Sequence, residues 1–361
     1  MKHHRGRLID VESTAELDSR FAGGATSLRG WRLHGLDLTG YSAELHRLEL
    51  RGASFLGCTF APGDAARAEA EGALVLPAIR KVPVDVYRSG LYTAEELYDA
   101  EAYADTLDAH AYSWSQTHAD PEATLARALH DHAVDEALRT WIDGKPIVGV
   151  MGGHGLRRGE PAYADAARLG RLLGGDLVVA TGGGPGAMEA ANLGAWLAGR
   201  PEGDLDGALA ALAAVPSYRP SVQDWVRVAL DLRRRLSGDD ARSLGIPTWH
   251  YGHEPPNVFS GAIAKYFRNA TREAILLEVC DAGIVFLPGA GGTVQEVFQD
   301  ACENYYADPS AVAPMVLVGT RYWTEELPAW PLLRSLARGR PMEGRVHLVE
   351  RLDEVPGVLE A

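Results

Sequence analysis

The residues best equipped for chemistry lie in Leu287-Pro288-Gly289-Ala290-Gly291-Gly292-Thr293-Val294-Gln295-Glu296. The run 282–287 is short and apolar, as a buried parallel strand would be. Beyond Thr293, the apolar residues Val294, Val297, Phe298 and Ala301 recur at helical spacing. Strand, glycine turn and helix are therefore predicted in that order. Glycine N–H groups in such a turn can close on an anion, and the helix N-terminus adds partial positive charge. Glu296 is predicted in the first turn of that helix, where a carboxylate could act on a group held by the cradle. The competing reading is a capping box, with Glu296 serving Thr293 three residues earlier.

A second glycine loop points to the same edge. Thr181-Gly182-Gly183-Gly184-Pro185-Gly186-Ala187-Met188-Glu189 follows the apolar run 176–180 and opens a helix through about Leu197. Consecutive glycines cost backbone entropy that a plain connection would not need. A third turn, Gly149-Val-Met-Gly152-Gly153-His154-Gly155, follows a strand predicted at 147–151. Three glycine-rich strand ends in one parallel sheet converge where open α/β sheets bind ligands. A phosphate-bearing ligand is the expectation.

The paired stretches Gly182–Met188 and Pro288–Glu296 resemble the two motifs of the Lonely guy (LOG) family. Its members are Rossmann-like nucleoside 5′-monophosphate phosphoribohydrolases, also labelled lysine decarboxylases. The resemblance covers roughly residues 145–354. It implies a catalytic Glu296 and a partner arginine in the helix before the second motif, best matched by Arg272, with Arg268 the fallback. The substrate phosphate would be held by Gly182, Gly183, Gly184, Gly186, Gly289, Gly291, Gly292 and Thr293. Met188, Gly153 and His154 would lie against the substrate. A homodimer or higher homo-oligomer, with the site near the subunit contact, is also implied. The chain departs from the pattern at Ala290, where a glycine is usual, and at Gly152-Gly153-His154, where a serine-rich turn is common.

The chemistry so implied is cleavage of a ribosyl C1′–N bond, whose transition state resembles an oxocarbenium ion. A carboxylate near C1′ would stabilise that charge or activate water, giving free base and ribose 5-phosphate. No cofactor is expected, since the triple glycine followed by proline does not fit dinucleotide-binding spacing. The alternative is a nucleotide-binding sensor or regulatory protein without catalysis.

Composition sets outer bounds. A net charge of −14 over 361 residues argues against a nucleic-acid partner, while a small phosphorylated molecule remains compatible. The three cysteines, Cys58, Cys280 and Cys302, are scattered without metal spacing, so reduced thiols are expected. The opening Met1-Lys-His-His-Arg-Gly-Arg lacks the pattern of a secretory leader, and no run is long and apolar enough for a membrane span. A cytoplasmic location with no membrane partner is expected.

The elements that must position these residues divide into three regions. Residues 1–80 carry apolar residues every few positions, faintly like a pentapeptide-repeat coil but with few copies, and predict a small β-rich appendage. Residues 81–144 predict a helical extension, with Thr93 and Asp120 as helix starts. Residues 145–361 alternate strands and helices, predicting a Rossmann-like, doubly wound parallel sheet. Further strands are expected near 245–249, 314–318 and 346–349, and an amphipathic helix over 221–236.

Several residues invite weaker readings. His250, His253 and Glu254 lack a third clear ligand, so no metal is expected. Lys265 reads as a helix-face lysine rather than a Schiff base. Arg233-Arg234-Arg235 reads as a solvated helix face. Tyr305 and Tyr306, with Asn304, could stack on a base or pack in a core.

Overall fold

The computed structural model describes residues 8–117, 120–250 and 254–359. The leader reading at Met1–Arg7 and the ligand reading of His253 therefore lie outside the described residues. The chain divides into two compact units. The first comprises residues 1–90 and 120–137, and the second residues 91–119 and 138–361. The stretch 81–144 is thus shared between the units rather than forming a helical region of its own.

In the first unit the strands β1 (Ile9–Val11), β2 (Trp31–His34), β3 (Ser54–Leu56) and β4 (Leu74–Leu76) pair in parallel, in sequence order. Val11 registers with Leu33, Leu33 with Phe55 and Phe55 with Val75. Val11, Leu33 and Phe55 of this ladder are buried and Val75 partly so, with Leu28, Leu36, Leu38 and Leu50 packed around them. Parallel neighbours require a crossover, and the helices Thr14–Ala22, Ser42–Leu45 and Asp64–Ala70 supply it. The short apolar spacing legible in the sequence is the inward face of each coil. The stacking repeat is longer and carries a helix in every connection.

The second unit is a Rossmann-like α/β fold. Its strands are β5 (Ile147–Met151), β6 (Val178–Thr181), β7 (Ser243–Gly245), β8 (Ala262–Ile263), β9 (Ile284–Phe286), β10 (Met315–Val318) and β11 (Val346–Val349). They run parallel in the order β11-β10-β9-β5-β6-β7-β8. From β5 the chain builds outward through β8, then crosses back to lay β9 on the other side of β5. The switch point between β5 and β9 opens a crevice at their carboxyl ends. The glycine turns after β9, β5 and β6, three adjacent strands, all reach that edge.

Residues 91–117 are knitted into this unit. Tyr92 bridges to Ile263 of β8, the Tyr98 hydroxyl donates to the Pro256 carbonyl at 2.5 Å, and Asp108 receives the Trp249 indole N–H at 2.8 Å. Thr93 caps its helix by accepting from Glu96 N–H, and Asp120 accepts from Ala123 N–H, as the sequence predicts. The helix Val222–Arg235 is capped by Ser221. Strand β7 lies earlier than the 245–249 segment read from sequence. Pro247 has no N–H to continue a ladder, and the paired residues are Ser243, Leu244 and Gly245. No described helix is long and apolar enough to cross a membrane.

Candidate functional site

At the carboxyl edge of the seven-stranded sheet lies a cavity of about 500 Å³. Gly182, Gly184 and Met188 line it from the turn after β6, Gly153 and His154 from the turn after β5, and Gly292, Thr293 and Glu296 from the turn and helix after β9. Arg272, from the helix Asn269–Glu278, faces the same space. Gly153 and Glu296, 143 positions apart in sequence, therefore face one space because the strand order makes β5 and β9 neighbours.

Geometry requires glycine at Gly186 and Gly289. Gly186 has φ 77°, and a Cβ there would stand 2.5 Å from the Gly153 carbonyl oxygen, which accepts from Ala187 N–H at 3.1 Å. The two turns thus touch backbone to backbone. A Cβ on Gly289 would fall 2.1 Å from the Thr293 hydroxyl oxygen. Gly183, Gly186, Gly289 and Gly291 shape the turns without lining the cavity themselves.

A buried polar cluster holds the Gly182–Gly186 turn in place. Asn257 N–H donates to the Gly183 carbonyl at 2.8 Å, and its side-chain amide donates to the Gly184 carbonyl at 3.2 Å and to Asn192 Oδ1 at 3.0 Å. Asn192 Oδ1 also accepts from the hydroxyls of Thr181, at 2.7 Å, and Ser260, at 3.1 Å. Across the site, the Tyr322 hydroxyl donates to the Gly289 carbonyl. Neither Asn257 nor Tyr322 carries a sequence signal, because each acts through contacts far along the chain.

The helix after β9 spans Gly291–Tyr306, with Ala290 at its N-cap and no side-chain cap hydrogen bond. It starts two residues before Thr293, so Glu296 sits in the second turn rather than the first. This corrects the sequence expectation and removes the capping-box reading, since Thr293 is inside the helix. Glu296 instead faces the cavity wall, its side chain 17 % exposed. Burial pushes its carboxyl up to about 7, opposed by Arg272 and reinforced by the neighbouring Glu273.

Arg272, not Arg268, lines the cavity. Its Nη1 lies 3.9 Å from Glu296 Oε1, and its Nη2 donates to Asn269 Oδ1 at 2.8 Å and lies 3.5 Å from Glu273 Oε1. Glu273 in turn accepts from the amides of Asn269, at 2.6 Å, and Gln295, at 2.8 Å. The buried Arg272 Nε has no hydrogen-bond partner. A cation held between two carboxylates can orient Glu296. Glu254, 3.8 Å from His154, adds a third carboxylate to the wall. Glu273 and Gln295 were legible only as neighbours of motif residues, and the contact between their helices brings them in.

One turn beyond Glu296, Asp300 is buried with one carboxyl oxygen unpartnered and the other accepting from Asn304 at 3.3 Å. Burial pushes it up to about 8. Asn304, Tyr305 and Tyr306 do not line the cavity: Asn304 is buried, Tyr305 meets Arg340, and Tyr306 is 80 % exposed. Lys265 is not on a helix face but ion-paired to Asp108 in the core. Arg233 packs over Trp196 and pairs with Glu95 and Asp240, so only part of that triplet is solvated. Among the described residues no His, Cys, Asp or Glu cluster could hold a metal.

No protein-family model matches the chain, and no curated protein does. Among solved structures, the molybdenum cofactor binding protein from the phototrophic bacterium Rippkaea orientalis is similar at 20 % identity and a TM-score of 0.35. The alignment covers 60 % of this chain and 96 % of that one. The Moco carrier protein from Chlamydomonas reinhardtii is similar at 20 % identity and a TM-score of 0.36, with the same coverage. Likeness at this distance bears on neither ligand nor activity.

Proposed function

We propose that the chain is a nucleoside 5′-monophosphate phosphoribohydrolase of the LOG type. The observation that carries this reading is Glu296, a carboxylate poised near neutrality beside Arg272, facing the glycine turns across one cavity. The free N–H groups at the start of the Gly291–Tyr306 helix, together with Gly182 and Gly184 of the facing turn, would hold the 5′-phosphate. That anchor is remote from the reacting bond and supplies binding energy for positioning it. Arg272 keeps Glu296 oriented, and the ionised carboxylate would stabilise the cationic ribose or take a proton from water. The reacting atoms need nothing beyond water and these side chains. The subunits would associate as a homodimer or larger, checked by light scattering.

The experiment is a panel of nucleoside monophosphates incubated with the purified chain and scored for released base. Release from a monophosphate, and none from the matching nucleoside, is the expected result. A second reading is a nucleotide-binding regulator without turnover. It is favoured by Ala290 at the N-cap and by the exposed His154, both departures from the family's phosphate turns. Tight nucleotide binding without base release from any monophosphate would establish it.

A further inference from the structure

A second cavity of about 240 Å³ adjoins the first, and the two share His154, Tyr218 and Arg219 in their walls. Its charge differs in kind. The first cavity has Glu254, Glu273 and Glu296 facing it. In the second, the only carboxylate is Glu189, and that charge is already matched. Arg158 donates from Nε to Glu189 Oε2 at 2.9 Å and from Nη2 to Oε1, while the Tyr163 hydroxyl donates to Oε2 at 2.9 Å. The remaining Arg158 nitrogen donates to the Trp225 carbonyl at 3.1 Å, and its guanidinium lies over the Trp225 ring. This buried assembly makes a rigid, neutral floor. Above it stand Arg157 and Arg219, both exposed, and neither makes an ion pair among the described residues. In a chain of net charge −14, two uncompensated guanidinium groups on one small cavity are a local reversal of sign.

We propose that this cavity is a subsite for a second anionic group, so that the ligands it favours are nucleotides with two phosphoryl groups, a nucleoside 5′-diphosphate being the simplest. The inference rests on the nucleotide reading above. The first phosphate takes the glycine turns, and the distal phosphate passes His154 to reach Arg157 and Arg219. Guanidinium groups suit such a site because their N–H donors pair with phosphate oxygens in a fork. The carboxylate-lined wall of the first cavity repels a second anion and leaves this direction open. The volume is several times the ~30 Å³ share of one water molecule, enough for a phosphoryl group.

The test is titration calorimetry at low salt with AMP and ADP, on Glu296→Gln protein so that neither ligand is consumed. ADP should bind about tenfold more tightly than AMP, the scale of charge-assisted hydrogen bonds to an added anion. Adding Arg157→Ala, a surface residue outside the first cavity, should bring the ratio to within about twofold while AMP affinity holds. Raising the salt should shrink the ratio as well. Equal affinity for AMP and ADP overturns the proposal, as does a ratio unchanged by Arg157→Ala. An equal loss for both ligands also overturns it, because the cavity would then seat the single phosphate. Binding of neither nucleotide overturns this proposal together with the reading it rests on. A preserved ADP preference, with no base released from AMP by the wild-type chain, overturns the hydrolase reading alone.

Discussion

Arg272 Nη1 and Glu296 Oε1 stand 3.9 Å apart, too far for a tight ion pair and near enough to bias ionisation. Burial outweighs the arginine, so the carboxyl is held near 7 rather than in the usual carboxylate range. A group in that state exchanges a proton near neutral pH, which suits acid–base or charge-stabilising work. Asp10, bonded to Arg32 and His34, is pushed down instead.

The first prediction concerns pH. If the ionised Glu296 is the working form, kcat/KM should rise through a limb near 7. Arg272→Gln removes the cation that favours ionisation, so the limb should move upward and the rate at pH 7 should fall. A profile flat from pH 5 to 9 in the wild-type chain, or a limb unmoved by Arg272→Gln, would contradict the pairing.

Asp300 yields a stability prediction with a definite sign. Burial lifts its folded pKa to about 8, above the 3.8 of a free aspartate, so the folded chain binds the proton more tightly than the unfolded chain. Stability linked to this group is therefore intact below about 4 and lost as pH rises through 8. Asp300→Asn should raise the melting temperature at pH 8.5 relative to wild type and leave it nearly unchanged at pH 4. Thermal melts at the two values check this, and a loss of stability at the higher pH would refute it.

Asn257 should matter to binding through the turn it holds. Asn257→Ala removes the side-chain bonds to Gly184, Asn192, Phe259 and Ser260 and leaves the Gly184 carbonyl and the Phe259 and Ser260 N–H groups without them, at a cost of about 1–3 kcal/mol. The looser turn should raise KM for a nucleotide more than it lowers kcat. Steady-state kinetics beside a denaturant melt would separate the two effects. Unaltered KM in a folded variant would mean the Gly182–Gly186 turn does not hold the phosphate.

The legible part of this protein is local. Glycine-rich turns between apolar runs mark the ends of β5, β6 and β9, and Glu296 and Arg272 sit near enough to them to be singled out. The helix start at Gly291 carries no local mark, because Gly291 and Gly292 are poor helix formers and Thr293 is the residue type that caps. Strand β7 was misplaced because Ser243-Leu244-Gly245 has no apolar run of its own and the bulkier residues follow it. Glu254, Asn257, Tyr322 and the Arg157–Arg219 cavity depend on which strands become neighbours, and no local pattern encodes that. In residues 9–76 the short apolar spacing suggests a pentapeptide-like coil with few copies, whereas the stacking repeat is longer and carries a helix in each connection.

The most direct measurement is base release from AMP and from adenosine by wild-type and Glu296→Gln protein, with AMP affinity and melting temperature measured on both. The account predicts release from AMP alone, and a fall of ~10²–10⁴-fold in turnover for Glu296→Gln with affinity retained. Glutamine keeps the size and loses the charge, so the melting temperature should hold or rise at neutral pH, where a buried carboxylate is costly. Equal turnover of adenosine and AMP would contradict the phosphate-anchored mechanism. Full activity in the Glu296→Gln protein would contradict the central assignment.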